Sequence, residues 1–459
     1  MSEFLHGQRL SSDNELLETL LHAIETQDNI GLLRLVQKEH PADVAEALSD
    51  LDIDEVAKVF KTLLFGDVTA SANVLNELEP VIIANLYPTL TNQEWAWILA
   101  ELSDDDVVAI LELFPEEAHS KLVARMPTRG KAGVLQLMTF PEESAGRIMT
   151  AEFLSIDGNK TVAEAVEKIR GTRDLDPTNL FNIFVTKDNK LVGSVTLRML
   201  LLGKKIEKLN AIMHRDVVAV PPTMDQEEVA EVFRKHDDVS MPVLDADGCI
   251  LGIITVDDVI DVIDDESDED IYTLIGSSDQ ELLAGNDISK IIMLRLPWIF
   301  ASFLGSMLVA YIMTVAERDV FVNAAKLFVF VPLVCAMGGN VGVQSATIMA
   351  RFLSSNNVDW RDAWTATFKE ARVGLGLGVL CGLCVGLFAY IMVGRNMMLT
   401  VMAAIICGMT TAATTGTVIP IIMKRLGFDP ALATGPFVTS FNDVVATLVY
   451  FSIAYYLMF

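Results

Sequence analysis

Basic residues are scarce in the first 290 positions of this chain. There, 24 lysines and arginines face 55 aspartates and glutamates, a balance near −31. So negative a surface is a poor partner for nucleic acid and a good one for cations. Cysteine is also rare, with five in 459 residues, and no disulfide framework can be read from them. Cys381 and Cys384 form a CxxC, but it lies within an apolar run where a thiolate is disfavoured, so packing is its expected role. The six histidines are scattered without metal-ligand spacing. The opening residues, MSEFLHGQRLSSDNE, lack the apolar stretch of a signal peptide.

Charge is nearly absent from the rest of the chain. From Ile291 onward there are 10 basic and 7 acidic residues, and five apolar runs cover 296–315, 327–349, 373–393, 397–423 and 431–459. Each reaches the roughly 20 residues needed to cross about 30 Å of hydrocarbon as a helix. Seven basic residues (Arg295, Arg351, Arg361, Lys369, Arg372, Lys424, Arg425) fall on one side of these spans, and three (Arg318, Lys326, Arg395) on the other. That asymmetry predicts a cytoplasmic N-terminus and, after five spans, an external C-terminus. Only the last run holds a charge, Asp443. An intramembrane carboxylate costs roughly 3 kcal/mol on insertion scales and marks an ion or proton pathway.

The soluble half has two textures. Segments such as PADVAEALSDL, DIDEVAKVFKTLL and SDDDVVAILELF read as short amphipathic helices, several with Asp, Ser or Thr at their starts, stacked as a small superhelix. Beyond Gly146 a repeat appears. RIMTAEFLSI is echoed by AIMHRDVVAV, TVAEAVEKIR by DQEEVAEVFRK, and FNIFVTKDNKLVGSVTLRML by SMPVLDADGCILGIITVDDVI. Each copy predicts strand, helix, hairpin and helix, with turns at Asp188-Asn189 and Asp247-Gly248. The tandem resembles a pair of CBS domains, which commonly dimerise and bind adenine nucleotides or metal ions. After it comes VDDVIDVIDDESDEDIYTLIG, where Asp257, Asp261, Asp264, Asp265 and Asp268 share one helical face. Like charges at that spacing oppose a helix, so the segment is expected to loosen unless cations screen it.

Three features of the membrane half stand out. Pro332 and Gly338-Gly339, in VPLVCAMGGNVGVQSATIMAR, predict a broken second span, with Asn340 and Gln344 presenting amides on one face. Gly374, Gly378, Gly382 and Gly386 form a small-residue packing stripe down the third span. The hydroxyls of GMTTAATTGTVIP in the fourth either bond their own backbone or hydrate a cavity.

The whole arrangement closely resembles the MgtE family of magnesium channels. GGNVGVQSATIMAR, FDPALATGP and FNDVVATLVYF carry the resemblance most specifically. It implies a multidomain α-helical membrane protein, a transporter and not an enzyme, in a bacterial-type plasma membrane. The parts are a superhelical N-domain (1–145), two CBS units (146–205 and 206–263), an acidic connecting plug helix (264–290) and a five-helix pore domain (291–459). It further implies a homodimer with Mg²⁺ passing between the two membrane halves. Asp443 matches the family's pore carboxylate, Thr439 faces the same path and Asn340 lies beside it. Regulatory Mg²⁺ that favours closure would bind Asp105 on the N-domain and Asp225, Glu227, Asp237, Asp258, Asp261, Glu266, Glu269 and Asp270 on the CBS and plug side. ATP at the CBS pair would use Phe181 for stacking and Arg198 nearby, although Met199 stands where an acid could hold the ribose. Physically, Mg²⁺ keeps several waters and takes only one or two carboxylates, which suits a pair of Asp443 side chains on a two-fold axis. The rival readings are a proton-coupled divalent-cation transporter with Asp443 as relay, and a non-transporting CBS sensor. A relay usually needs several titratable groups in line, and the fifth span has one.

Overall fold

A computed structural model describes residues 15–172, 178–278, 280–283, 288–320, 325–354 and 360–458. The chain divides into two compact units, Met1–Asp265 and Glu266–Phe459.

The first unit begins with short helices, among them Asn29–Lys38, Pro41–Ser49, Ile53–Gly66, Val68–Asn76, Asn92–Leu99, Asp104–Glu112, Glu116–Arg125 and Thr128–Leu137. Several of their starts are capped as the sequence predicts. The Asp28 carboxylate accepts from Gly31 N at 2.9 Å, Asp67 accepts from Ala70 N at 3.0 Å, and Thr91 and Glu94 form a reciprocal capping box. One apolar face of each helix turns inward, and Phe60, Trp95, Ile98 and Leu111 are fully buried. Trp95 packs edge-on against Phe114 with ring centroids 4.8 Å apart and donates its indole N–H to Tyr87 O at 3.2 Å.

The repeat forms two small sheets. In the first, β1 (Ser155–Asp157) pairs parallel to β2 (Asn182–Lys187), which pairs antiparallel to β3 (Lys190–Thr196). In the second, β4 (Ser240–Leu244) and β5 (Ile250–Thr255) are antiparallel, and the leading strand shrinks to a single bridge between Val220 and Val243. Asp188 and Asn189 take φ of 53° and 64°, the left-handed pair a tight hairpin requires, and Gly248 takes 84°. The copies exchange their leading segments: Thr150 bridges to Ile253 on β5, and His214 bridges to Ser194 on β3. Gly193 and Gly252 make this possible. A Cβ on Gly252 would lie 2.6 Å from Thr150 O, and one on Gly193 would collide with His214 O.

The acidic segment departs from expectation. It does not loosen, and the boundary expected at 263/264 falls inside one helix, Val256–Ile275. Asp258 folds back on Thr255 at the start of this helix, accepting from Thr255 N at 3.1 Å, while Val259 and Val262 bury its apolar side. Burial and the favourable placement of acids in a first turn outweigh repulsion of a few tenths of a kcal/mol per pair.

The second unit holds five helices long and apolar enough to span a bilayer: Ile288–Arg318, Ala325–Leu353, Trp360–Met392, Arg395–Arg425 and Gly435–Leu457. The unwinding expected at Gly338-Gly339 does not occur, because Val331–Ser354 is continuous. The interruption lies at 329–330, after the short helix Ala325–Phe328. Pro332 therefore sits in a first turn, where a missing N–H removes no helical bond. The glycine stripe of the third span is buried against the fourth, and a Cβ on Gly378 would come within 2.9 Å of Ile406 Cα. The fourth span's hydroxyls bond their own helix: Thr410, Thr411 and Thr414 donate to the carbonyls four residues back at 2.7–2.8 Å.

Candidate ion path and acidic cluster

Asp104, Asp105 and Asp106 occupy the first turn of helix Asp104–Glu112, behind the Ser103 cap. The fold brings them to the start of helix Val256–Ile275. Asp105 lies within electrostatic reach of Asp258, Asp106 of Asp257 and Asp258, and Asp261 of Glu77 and Asp106. Burial, reinforced by Asp258 and Asp106, holds the Asp105 carboxyl far above the ordinary carboxylate range. Burial pushes Asp258 to about 7 against the opposing hydrogen bond from Thr255, with Asp257 and Asp106 adding to the rise. Burial also raises Asp261, helped by Asp265 and Asp257. Asp104 reaches about 6 through burial and Glu152.

The other sequence-predicted acids stand elsewhere. Asp225 caps helix Gln226–His236, accepting from Glu227 N at 2.9 Å. Asp237 terminates the same helix in a left-handed conformation, φ 52°, so the two are separated by its length of about 16 Å. Glu227, Glu266 and Glu269 have polar or electrostatic contacts of their own. Asp270 belongs to the second unit, where burial and Asp429 raise it and Arg351 opposes the rise. Phe181 precedes β2 with half its surface exposed, and Arg198 is exposed on helix Leu197–Leu202. Residues 173–177, between Phe181 and the preceding helix, lie outside the described residues.

The cluster fits a hydrated divalent cation. Asp105 Oδ1 is buried with no hydrogen-bond partner, and its neighbours are like-charged. Among the described residues no three or more acids, cysteines or histidines converge as a cage. A cation held there by Asp105 and Asp258 would retain most of its water, as Mg²⁺ prefers. From the sequence, Asp105 is named alone of its triplet and Asp257 only as part of the acidic face, while Asp106 and Glu77 are not named. The unbroken DDD behind a helix cap was the available signal.

In the membrane half, Asp443 and Thr439 lie one turn apart on the fifth span, beside Gly339 of the second. A Cβ on Gly339 would stand 3.5 Å from Thr439 Cγ2 and 3.8 Å from Asp443 Oδ1, so its absence leaves space next to the carboxylate. Among the described residues the Asp443 side chain forms no hydrogen bond or ion pair. Thr439 Oγ1 donates to Gly435 O at 2.9 Å, leaving its lone pairs free to accept. Asn340 adjoins Gly339 and is exposed, as is Gln344 one turn on. Two buried polar groups escaped the sequence reading. Glu370 accepts from Ser345 Oγ at 3.0 Å, and Asn442 Oδ1 accepts from Thr415 Oγ1 at 2.7 Å. Glu370 precedes the apolar run as first drawn, but the third helix starts at Trp360 and encloses it.

Comparison with known proteins decides the family. Family models match residues 331–453 (MgtE, divalent cation transporter), 39–143 (MgtE intracellular N domain), and 145–203 with 209–265 (CBS domain). A protein of Thermus thermophilus named magnesium transporter MgtE is 32% identical over 451 residues, covering 96% of this chain and 98% of its own. The chain belongs to the MgtE family. An Enterococcus faecalis MgtE of the same name is 35% identical over 326 residues, 70% of each chain. Two solved structures share the fold of the cytoplasmic half. The soluble part of a magnesium transporter matches with TM-score 0.51 at 28% identity, covering 56% of this chain and 99% of that one. The cytosolic domain of the Mg²⁺ channel MgtE in complex with ATP matches with TM-score 0.50 at 30% identity, covering 54% and 99%. The chain is thus a multi-pass membrane protein with an MgtE N-domain and a CBS pair.

The raised carboxyls link stability to pH. A carboxyl whose folded-state pKa exceeds its unfolded value of about 3.9 stabilises the fold below that value and loses the contribution as pH rises through the folded pKa. For Asp258 that window closes at about 7. Chelated protein should therefore melt at a lower temperature at pH 7.5 than at pH 5.5, followed by N-domain tryptophan fluorescence. Millimolar Mg²⁺ should remove the difference, and Asp105→Asn should raise the metal-free melting point. Equal melting at both pH values in chelator would show that the acids do not repel across this contact.

Proposed function

We propose that this chain is one subunit of a homodimeric Mg²⁺ channel, with two Asp443 carboxylates flanking a hydrated ion at the dimer axis. The observation that carries this reading is the Asp443 side chain, which has no hydrogen bond or ion pair among the described residues and lies beside the open flank of Gly339. Two carboxylates about 5 Å from a divalent ion would each contribute roughly 7 kcal/mol at an effective dielectric near 20, much of it offset by desolvation. Because the ion keeps its water, it is attracted without being trapped. The N-terminus is placed in the cytoplasm and the C-terminus outside, on the asymmetry of basic residues.

Internal Mg²⁺ closes the channel in this proposal. Held by Asp105, Asp258 and Asp261, it would draw the start of helix Val256–Ile275 toward the N-domain. The same helix continues to Glu266, Glu269 and Asp270, so a change at its start has a covalent route to the membrane half. Unit charges about 6 Å apart repel by roughly 3 kcal/mol at a dielectric of 20, so a few pairs exceed the 5.5 kcal/mol that inverts a 99:1 population. ATP is assigned to the CBS pair, with Phe181 against the adenine and Arg198 nearby. Its support is the ATP complex of the related cytosolic domain and the exposed Phe181 ring.

Three measurements test these assignments. Asp443→Asn keeps size and removes charge, and it should abolish Mg²⁺ uptake into liposomes by dimeric protein. Near-normal uptake would put the ion path elsewhere. Neutralising Asp258, Asp261, Glu266 and Asp270 together should leave a flux that high internal Mg²⁺ no longer suppresses, and intact suppression would remove the sensor. Phe181→Ala should weaken ATP binding by about tenfold, the scale of one aromatic stacking contact. Unchanged binding would move the nucleotide away from Phe181.

A further inference from the structure

Asn442 adjoins the pore carboxylate in sequence but points about 100° away around the helix, into the bundle. It is 1% exposed, and its Oδ1 accepts from Thr415 Oγ1 of the fourth span at 2.7 Å. Its Nδ2 is buried with no hydrogen-bond partner. That amide lies directly over Gly342 of the second span, where any Cβ would collide with it. Gly416 of the fourth span is equally close to Gly342, since its own Cβ would collide with Gly342 O. Three spans thus meet at backbone distance around one amide. An apolar side chain of this size would fill the layer without a stranded donor, so packing alone does not explain an asparagine here.

The carboxylate next door has no hydrogen bond to orient it among the described residues. Its direction is therefore set by rotation of the fifth span, and the Thr415 bond fixes that rotation one residue away. Cys335 of the second span assists from the other side, with its Sγ 3.4 Å from Thr447 Oγ1 and 3.7 Å from Asp443 O. We propose that Asn442 is a positioning residue for Asp443, pinning the fifth span through Thr415 so that the carboxylate faces the ion path. This rests on the reading of Asp443 as the pore carboxylate.

The test uses full-length dimer in liposomes, measuring Mg²⁺ flux against concentration and the ratio of Mg²⁺ to Ca²⁺ flux. Asn442→Ala should raise the half-saturating Mg²⁺ concentration by about tenfold, the scale of one buried hydrogen bond, and lower the Mg²⁺ to Ca²⁺ ratio. Thr415→Val, which keeps shape and removes the bond from the other side, should do the same, and the double variant should be no worse than either. Gly342→Ala with Asn442→Ala refills the vacated volume with a methyl group. It should recover thermal stability but not the flux parameters. Wild-type concentration dependence and ion preference in folded Thr415→Val would overturn the proposal, and so would recovery of flux by the volume-restoring pair. Should Asn442→Ala not fold, Thr415→Val decides alone. Asp443→Asn in the same assay separates the two claims: a conducting Asp443→Asn defeats the pore reading, whereas a silent one beside a normal Thr415→Val defeats only this inference.

Discussion

A carboxylate among hydrocarbon helices that bonds to no side chain is tolerable only where water or a cation reaches it. Asp443 is in that position, and the surrounding architecture can be understood as keeping it so. Gly339 leaves its flank open, Thr439 turns its hydroxyl hydrogen back to its own helix, and the adjacent polar groups are engaged elsewhere. The third and fourth spans, locked by the glycine stripe, supply a wall against which the fifth is held. Neutralising Asp443 from within, by a lysine or arginine on a facing span, would be simpler for stability. In the proposed function it would also abolish the attraction for a passing divalent ion.

The cytoplasmic acids pose the same problem in a wetter setting. Asp105 and Asp258 are brought together with no basic neighbour among the described residues, and each is pushed toward the neutral form chiefly by burial. A lysine between them would make a permanent bridge, insensitive to ion concentration. In the proposed function, leaving the repulsion in place would make the contact conditional on a cation. In the proposed reading the membrane and cytoplasmic carboxylates share one feature, the lack of an ion-pair partner among the described residues.

Much of this was legible in the residues. Hydropathy located all five spans because the hydrocarbon requirement is one-dimensional, and the hairpin turns followed from Asp-Asn and Asp-Gly. What the sequence concealed was decided by three-dimensional neighbours. Gly338-Gly339 suggested broken backbone, but glycine served separation of side chains, and the interruption fell earlier. Glu370 read as flank because the third helix outlasts its apolar run, and burial against Ser345 appears only when the second span packs beside it. Asn442 was overshadowed by the charge next to it. The acidic helix stays formed despite its charge density because Val259 and Val262 on its apolar side are buried, a contact that its acidic pattern does not show.

The exchanged segments of the CBS pair bear on how the protein is made. Thr150 finds its bridge only on β5, and His214 completes β3 only by reaching back into the first copy. Each copy holds its own strands, β1–β2–β3 in the first and β4–β5 in the second, but the segment leading into each is bridged to the other copy, so these bridges form once residues up to Thr255 are available. The first membrane helix begins at Ile288, a few tens of residues later. Synthesis therefore presents a nearly complete cytoplasmic unit just before the apolar half emerges. A chain stalled between the two copies would expose the unpaired edge of β3, a template for association with other chains.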